Sequence, residues 1–268
     1  MRRAFSVMER GVVRPWRRRT RNPFATDHTL LVHCSHHKVG TVWLSRVLTA
    51  VAESYGLRFH ETQENGIDHR ADILHYLHTR DFDRTRLARR PFRGSHLVRD
   101  PRDVAVSAYH YHLWTNEPWA REPHPAWNGQ SYQEYLSGLD KDEGLLVEIE
   151  FSAGTVVRDM AEWDYQQPEF CELRYEKLLA DEPGQFARLF RHYGFTDDAV
   201  DRCVSIAEQF TFRRTAGRTL GDTKERTHLR SGQPGEWREH FGSIHRERFE
   251  AVAGEALRKL GYETTSNW

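Results

Sequence analysis

The sequence predicts a single α/β domain: a central parallel sheet flanked by helices, opened by a P-loop-like strand–loop–helix. Three observations carry this. An apolar run at residues 30–32 and short strand-like stretches at 94–98 and 170–175 alternate with longer segments of helical periodicity, and strands separated by helices pair in parallel. Lys38 and Gly40 sit in a polar loop between the first run and a helical segment, an order that aims backbone N–H groups and a positive dipole end at an anion. At 268 residues the chain can bury one large core.

Taken in order, residues 1–24 form a basic N-terminal arm and residues 25–268 the domain. The arm holds eight arginines before residue 22 against one acid, Glu9, and lacks the apolar core of a secretory signal. It suits a solvated arm, a peripheral contact with an anionic membrane, or an organellar transit peptide. The first strand covers residues 30–32, and a helix spans 41–55 with Gly56 at its C-cap. Residues 57–60 read as a short strand, 63–70 as loop, and 71–78 as a strand or helical turn. A strand at 94–98 meets an Asp-Pro turn, and Pro101 begins a largely buried helix. Residues 116–129 are an aromatic, proline-rich loop, with helices at 131–139 and 145–163 after it. The strand at 170–175 precedes helices at 185–193 and 197–209. Residues 217–235 are glycine-rich, polar and expected to be mobile, and a helix at 246–260 capped by Gly261 closes the chain.

Composition narrows the function classes. Lys+Arg and Asp+Glu each number 39, so no net field draws the chain to a nucleic acid. The three cysteines, Cys34, Cys171 and Cys203, lack metal-like spacing, which fits a reducing compartment and a cytoplasmic location. No apolar run approaches the ~20 residues needed to span a bilayer. His36 and His37 have no third ligand at suitable spacing, so no metal is expected.

Three stretches carry anion chemistry. Lys38-Val39-Gly40-Thr41-Val42-Trp43 is not a Walker A loop, because its lysine precedes its glycine. Arg99 stands at the C-terminal end of a strand, with Ser107 two turns into the next helix, so a guanidinium and a hydroxyl can converge on a phosphate. Arg230-Ser231-Gly232 opens a segment whose glycines and proline forbid regular structure while two side chains can donate.

Together these resemble the sulfotransferase family that uses 3′-phosphoadenosine 5′-phosphosulfate (PAPS). The first is similar to that family's K-S-G-T-T-W loop for the 5′-phosphosulfate, and Arg99 through Ser107 to its R-N-P-x-D-x-x-x-S segment for the 3′-phosphate. Arg230-Ser231-Gly232-x-x-Gly235-x-Trp237 resembles R-K-G-x-x-G-x-W, and Tyr175-Glu176-Lys177-Leu178 resembles Y-E-x-L. The motifs occur in the family's order over roughly residues 30–241. Val39 replaces the loop serine, and Ser231 replaces a lysine near the 3′-phosphate.

The resemblance implies PAPS as donor, PAP (adenosine 3′,5′-bisphosphate) as product, no metal, and a small-molecule or glycan acceptor offering a hydroxyl or an amine. It implies contacts to the donor from Lys38, Val39, Gly40, Thr41, Val42, Trp43, Arg99, Ser107, Tyr175, Phe212, Arg230, Ser231 and Gly232. Lys38 would partner the leaving oxygen. An acceptor hydroxyl needs a base, and His78, just after the strand preceding the arginine segment, is the first choice, with His75 and His60 as alternates. His96 reads as a packed sheet histidine, His110 and His112 as structural or acceptor-lining, and His36 and His37 as flanking the loop. Trp114, Trp119 and Trp127 suit one wall of an acceptor pocket or a cap on the core. Monomer and homodimer stay open. The competing readings are an ATP-dependent kinase on a related loop and a non-catalytic anion-binding protein.

Overall fold

The computed structural model describes residues 22–26, 29–62, 68–87 and 90–268, and the arginine-rich segment 1–21 lies outside them. Five strands build one sheet: β1 (Leu30–Cys34), β2 (Phe59–Thr62), β3 (Ile73–Tyr76), β4 (Phe92–Val98) and β5 (Phe170–Arg174). They lie in the order β2-β3-β1-β4-β5, and every pairing is parallel. After β1 the chain crosses to β2 on one side; after β4 it crosses to β5 on the other. The crevice beyond the C-terminal ends of β1 and β4 is therefore the topological switch point, where open α/β sheets bind ligands.

Alternation along β1 fills both faces. Leu31 joins a core with Val47, Val51, Leu97 and Phe190, while Leu30, Val32 and Cys34 join a smaller one with Tyr76, Trp163 and Phe170. Helix α1 (Thr41–Tyr55) ends on Gly56 in the left-handed conformation, φ 67°. Helix α2 (Pro101–His112) starts on Asp100, whose carboxylate accepts from the Arg102 N–H at 2.9 Å, with proline in its first turn. Short α3 (Pro118–Arg121) lies in the proline-rich loop, and α4 (Tyr132–Ser137) and α5 (Lys141–Ser152) each carry a capping box.

The helix expected over 145–163 starts earlier and is interrupted. A π-turn at Ala153–Val157 separates α5 from α6 (Arg158–Glu162), where Gly154 and two β-branched valines weaken regular α pairing. After β5 come α7 (Tyr175–Ala180), α8 (Glu182–His192), α9 (Asp197–Ala207), α10 (Phe212–Ala216), α11 (Trp237–His240) and α12 (Ser243–Lys259). Packing reaches back to Phe24, which is 6% exposed and bridges Phe195. No helix among the described residues is long and apolar enough to cross a membrane.

Candidate active site

One cavity of about 460 Å³ opens at the switch point. It receives Lys38, Gly40, Thr41, Val42 and Trp43 from the β1–α1 loop and α1, Arg99 from the end of β4, and Ser107 from α2. Tyr175, Phe212, Arg230, Ser231 and Gly232 close the same side. Residues up to 194 positions apart in the chain thus meet at one place because β1 and β4 are neighbours.

The loop geometry explains its residues. Gly40 caps α1 at φ 109°, a conformation that disfavours any side chain, and a Cβ there would meet the Tyr175 ring at 3.0 Å. No side chain caps α1 and no acid stands in its first turn, unlike α2, α4 and α5, so its leading N–H groups face the cavity without a carboxylate competitor. The Thr41 hydroxyl is committed locally, donating to the His36 carbonyl at 2.6 Å. Lys38 itself adopts φ 64°, with Nζ 4.0 Å from the Tyr111 ring centroid. Burial pushes its pKa down to about 7, with the positive charge of Arg99 adding to the shift.

Arg99 is 6% exposed. Its Nη1 donates to the Lys38 carbonyl at 3.3 Å and its Nη2 to the Gln233 carbonyl at 3.4 Å, and its guanidinium stacks 4.5 Å from the Tyr175 centroid. Its Nε is buried without a hydrogen-bond partner, a donor left over for an anion. Arg230 pairs with Glu236 and lies 3.7 Å from Glu225.

Segment 217–235, expected to be mobile, is tied down. Gly221 N–H donates to the Ser231 carbonyl at 3.1 Å, Lys224 N–H to the Arg230 carbonyl at 3.0 Å, and Arg218 reaches three carbonyls of the segment. Buried Asp103 accepts from the Gly235 N–H at 2.7 Å and the Trp237 N–H at 3.0 Å, fastening the segment to α2. The Tyr175 hydroxyl donates to the Gly232 carbonyl at 2.9 Å.

Not every expected residue faces the cavity. Val39 is fully buried in the core, so the side chain at the loop-serine position points away from any ligand. His75 is fully buried in β3, its Nε2 3.1 Å from Ser35 Oγ and its Nδ1 3.3 Å from Glu61 Oε2. It and His60 stay out of the lining, whereas His78, past the end of β3, lies in it. Burial lowers the His78 pKa, with Arg80 adding to it, so the imidazole is neutral at pH 7.

Trp114 and the tryptophans of the aromatic loop stand outside the cavity lining. Trp127 packs on Tyr132 and Tyr135, Trp119 on Tyr132 and Phe151, and Trp114 on Tyr111 and His228. The wall they support is polar: His36, His37, Tyr111, Glu117 and His228 line it, with Arg46 and Glu61 beside α1. Glu117 accepts from the Tyr111 hydroxyl at 2.7 Å. Sequence reasoning missed Glu117, which belongs to no recognisable spacing, and gave no role to His228, which heads the Arg230 stretch. His112 bonds Glu148 at 2.7 Å and is structural, while His110 lies 3.4 Å from Glu225. Among the described residues no three ligating side chains converge as a metal site would require.

The fit to a doubly anionic nucleotide follows from this donor set. Lys38, Arg99 and Arg230, an uncapped helix start and the unpartnered Arg99 Nε share one cavity with aromatic Trp43, Tyr175 and Phe212. The sulfotransferase domain family matches residues 95–261. Solved structures share the fold at low identity. Mouse sulfotransferase SULT7A1 complexed with PAP is 17% identical with a TM-score of 0.53, over 88% of this chain and 86% of that one. Retinol dehydratase in complex with androsterone and PAP is 15% identical with a TM-score of 0.56, over 85% and 80%. No curated protein sequence matches the chain.

Proposed function

We propose, from the premise that the chain belongs to the sulfotransferase domain family, that it moves the sulfuryl group of PAPS to a hydroxyl or amine of a small-molecule or glycan acceptor. The observation that carries this reading is the convergence of Lys38, Arg99 and Arg230 with the uncapped start of α1 around one cavity. Bound PAPS supplies the sulfuryl group and a phosphate leaving group. The protein's part is positioning and charge stabilisation, as in phosphoryl transfer.

The N–H groups of Gly40, Thr41 and Val42 would hold the 5′-phosphate, and Lys38 Nζ would neutralise charge on the leaving oxygen. Arg99, Ser107, Arg230, Ser231 and Gly232 would hold the 3′-phosphate, with the stacked Tyr175 fixing the plane of Arg99. Trp43, Tyr175 and Phe212 offer faces for the adenine. Neutral His78 would take the acceptor's proton on an imidazole nitrogen. The same reading places the protein in the cytoplasm, where its three buried thiols stay free.

Calorimetric titration with PAP and with ATP–Mg²⁺ tests the reading. PAP should bind tightly, ATP–Mg²⁺ poorly, and Arg99→Ala should remove PAP binding. Preference for ATP–Mg²⁺ sinks it in favour of a kinase.

A further inference from the structure

A hydrogen-bonded row of side chains leaves the cavity wall and runs across the sheet. His36, on the loop after β1, lines the cavity and is 2% exposed. Its Nε2 lies 2.8 Å from Nε2 of His96 in β4, and His96 Nδ1 lies 2.7 Å from Glu172 Oε2 in β5. His96 and Glu172 are cross-strand partners, and His96 pairs with Cys34, two residues before His36. Trp163 covers the row: its ring stacks 4.3 Å from His96, and its indole N–H donates to Glu172 Oε1 at 3.0 Å. At the cavity end, Thr79 Oγ1 sits 2.8 Å from both ring nitrogens of His36 and donates to the Ser35 carbonyl at 3.0 Å, and Thr79 adjoins His78 in the chain. Sulfuryl transfer as derived above uses none of the three.

We propose that His36, His96 and Glu172 store the proton of the transfer: what His78 takes from the acceptor passes through Thr79 to His36 and its charge comes to rest on Glu172. This rests on the sulfotransferase reading. The polarity of the row follows from its far end. A carboxylate only accepts, so His96 carries its hydrogen on Nδ1 and has a lone pair on Nε2. His36 must then donate from Nε2, which leaves its Nδ1 lone pair for the Thr79 hydroxyl. As the acceptor oxygen bonds to sulfur, its O–H breaks and the proton goes to His78. The Thr79 hydroxyl turns its hydrogen from the Ser35 carbonyl to His36 Nδ1, gives it up there and takes the proton from His78 in its place. The Nε2 hydrogen of His36 shifts to His96 Nε2, and the Nδ1 hydrogen of His96 shifts to Glu172. Reversal returns the proton to water once product has left. Such a store suits sulfuryl transfer, because water admitted to carry the proton away would compete as acceptor.

The environment supports it. Burial keeps His36 and His96 neutral, and burial raises Glu172 to about 7, so its carboxylate can take up a proton near neutral pH. His78 faces the His36 end; Cys34, Tyr165, Arg174 and Arg188 face Glu172.

Imidazole ¹⁵N NMR on the full chain, above the Glu172 pKa of about 7, should find His36 as the Nε2–H tautomer and His96 as Nδ1–H. Glu172→Gln keeps an accepting oxygen but loses the proton affinity. In that variant PAP release from PAPS, with water as acceptor, should fall on the order of 10²-fold. Wild-type rate should decline as pH drops through about 7, where Glu172 fills, and the variant should lack that decline while binding PAP normally. His36 as Nδ1–H, or Glu172→Gln with wild-type rate and pH profile, overturns the proposal. If Glu172→Gln does not fold, His36→Gln is read the same way. Failure of the wild-type chain to bind PAP counts against the sulfotransferase reading instead.

Discussion

Lys38 enters the cavity between the Tyr111 ring and the Arg99 guanidinium, and both burial and that like charge work against its ammonium form. Its pKa of about 7 in the free protein means that much of it is neutral under ordinary conditions. A bound phosphate favours the charged form and raises the pKa, so PAP binding should take up a proton. Affinity should accordingly be fully present below about pH 7 and weaken as pH rises above it. Calorimetry in buffers of different ionisation enthalpy measures that uptake directly; Lys38→Met should abolish it. His78 bears a different load. Its replacement by alanine should cost about 10²–10⁴ in turnover, the usual contribution of a proton-transfer group, and leave PAP affinity untouched. Near-normal turnover in single-turnover assays would remove His78 from the reaction.

At the scale of elements, two helix starts and one irregular segment build the donor side. Helix α1 starts without a side-chain cap because Gly40, not a Ser or Asp, stands there, while α2 carries Asp103 in its first turn to hold the Gly235 and Trp237 N–H groups. The segment following Arg230 has no regular structure and depends on those bonds and on left-handed glycines. Gly232, at φ 69°, lies against a ring: a Cβ there would lie 2.6 Å from Phe212. Gly232→Ala should therefore cost about 1–2 kcal/mol of backbone strain and displace Phe212 as well. We expect PAP affinity to fall by ~10-fold or more, with the thermal midpoint lowered by only a few degrees, about 2–4 °C per kcal/mol. A variant with wild-type PAP affinity would show that the segment tolerates a side chain at that point.

Over the whole molecule, Arg102 joins distant parts of the chain behind the site. It is 2% exposed, forks onto Asp100 through Nε and Nη2, pairs with Glu263, and lies 4.0 Å from the Trp237 and 4.6 Å from the Trp268 ring centroids. Removing it strands two carboxylates and leaves a gap between two indoles. Arg102→Ala should cost about 3–5 kcal/mol in urea unfolding, as expected when one member of a buried ion pair is lost. Arg102→Lys should recover only part, because an ammonium lacks the planar fork. An Arg102→Ala variant as stable as wild type would mean that the carboxylates find other partners.

How far the sequence reaches differs by feature. It determined the α/β class and the strand–loop–helix at Lys38, because hydrophobic period and glycine placement are local properties of the chain. It also pointed to Arg99, Ser107 and Arg230, which line the cavity, since they lie in stretches with recognisable spacing. Tertiary structure alone decided which candidate base meets the cavity: His75 and His78 differ by three residues, yet strand pleat buries the first and the end of β3 frees the second. It alone turned Val39 into core, kept the tryptophans of the aromatic loop out of the cavity lining, and tied down segment 217–235 through Asp103 and Arg218. It alone also brought His36, His96 and Glu172 into one row. Contacts between β1, β4 and β5 depend on parallel pairing of strands far apart in sequence, and no local pattern records which side chains that pairing sets side by side.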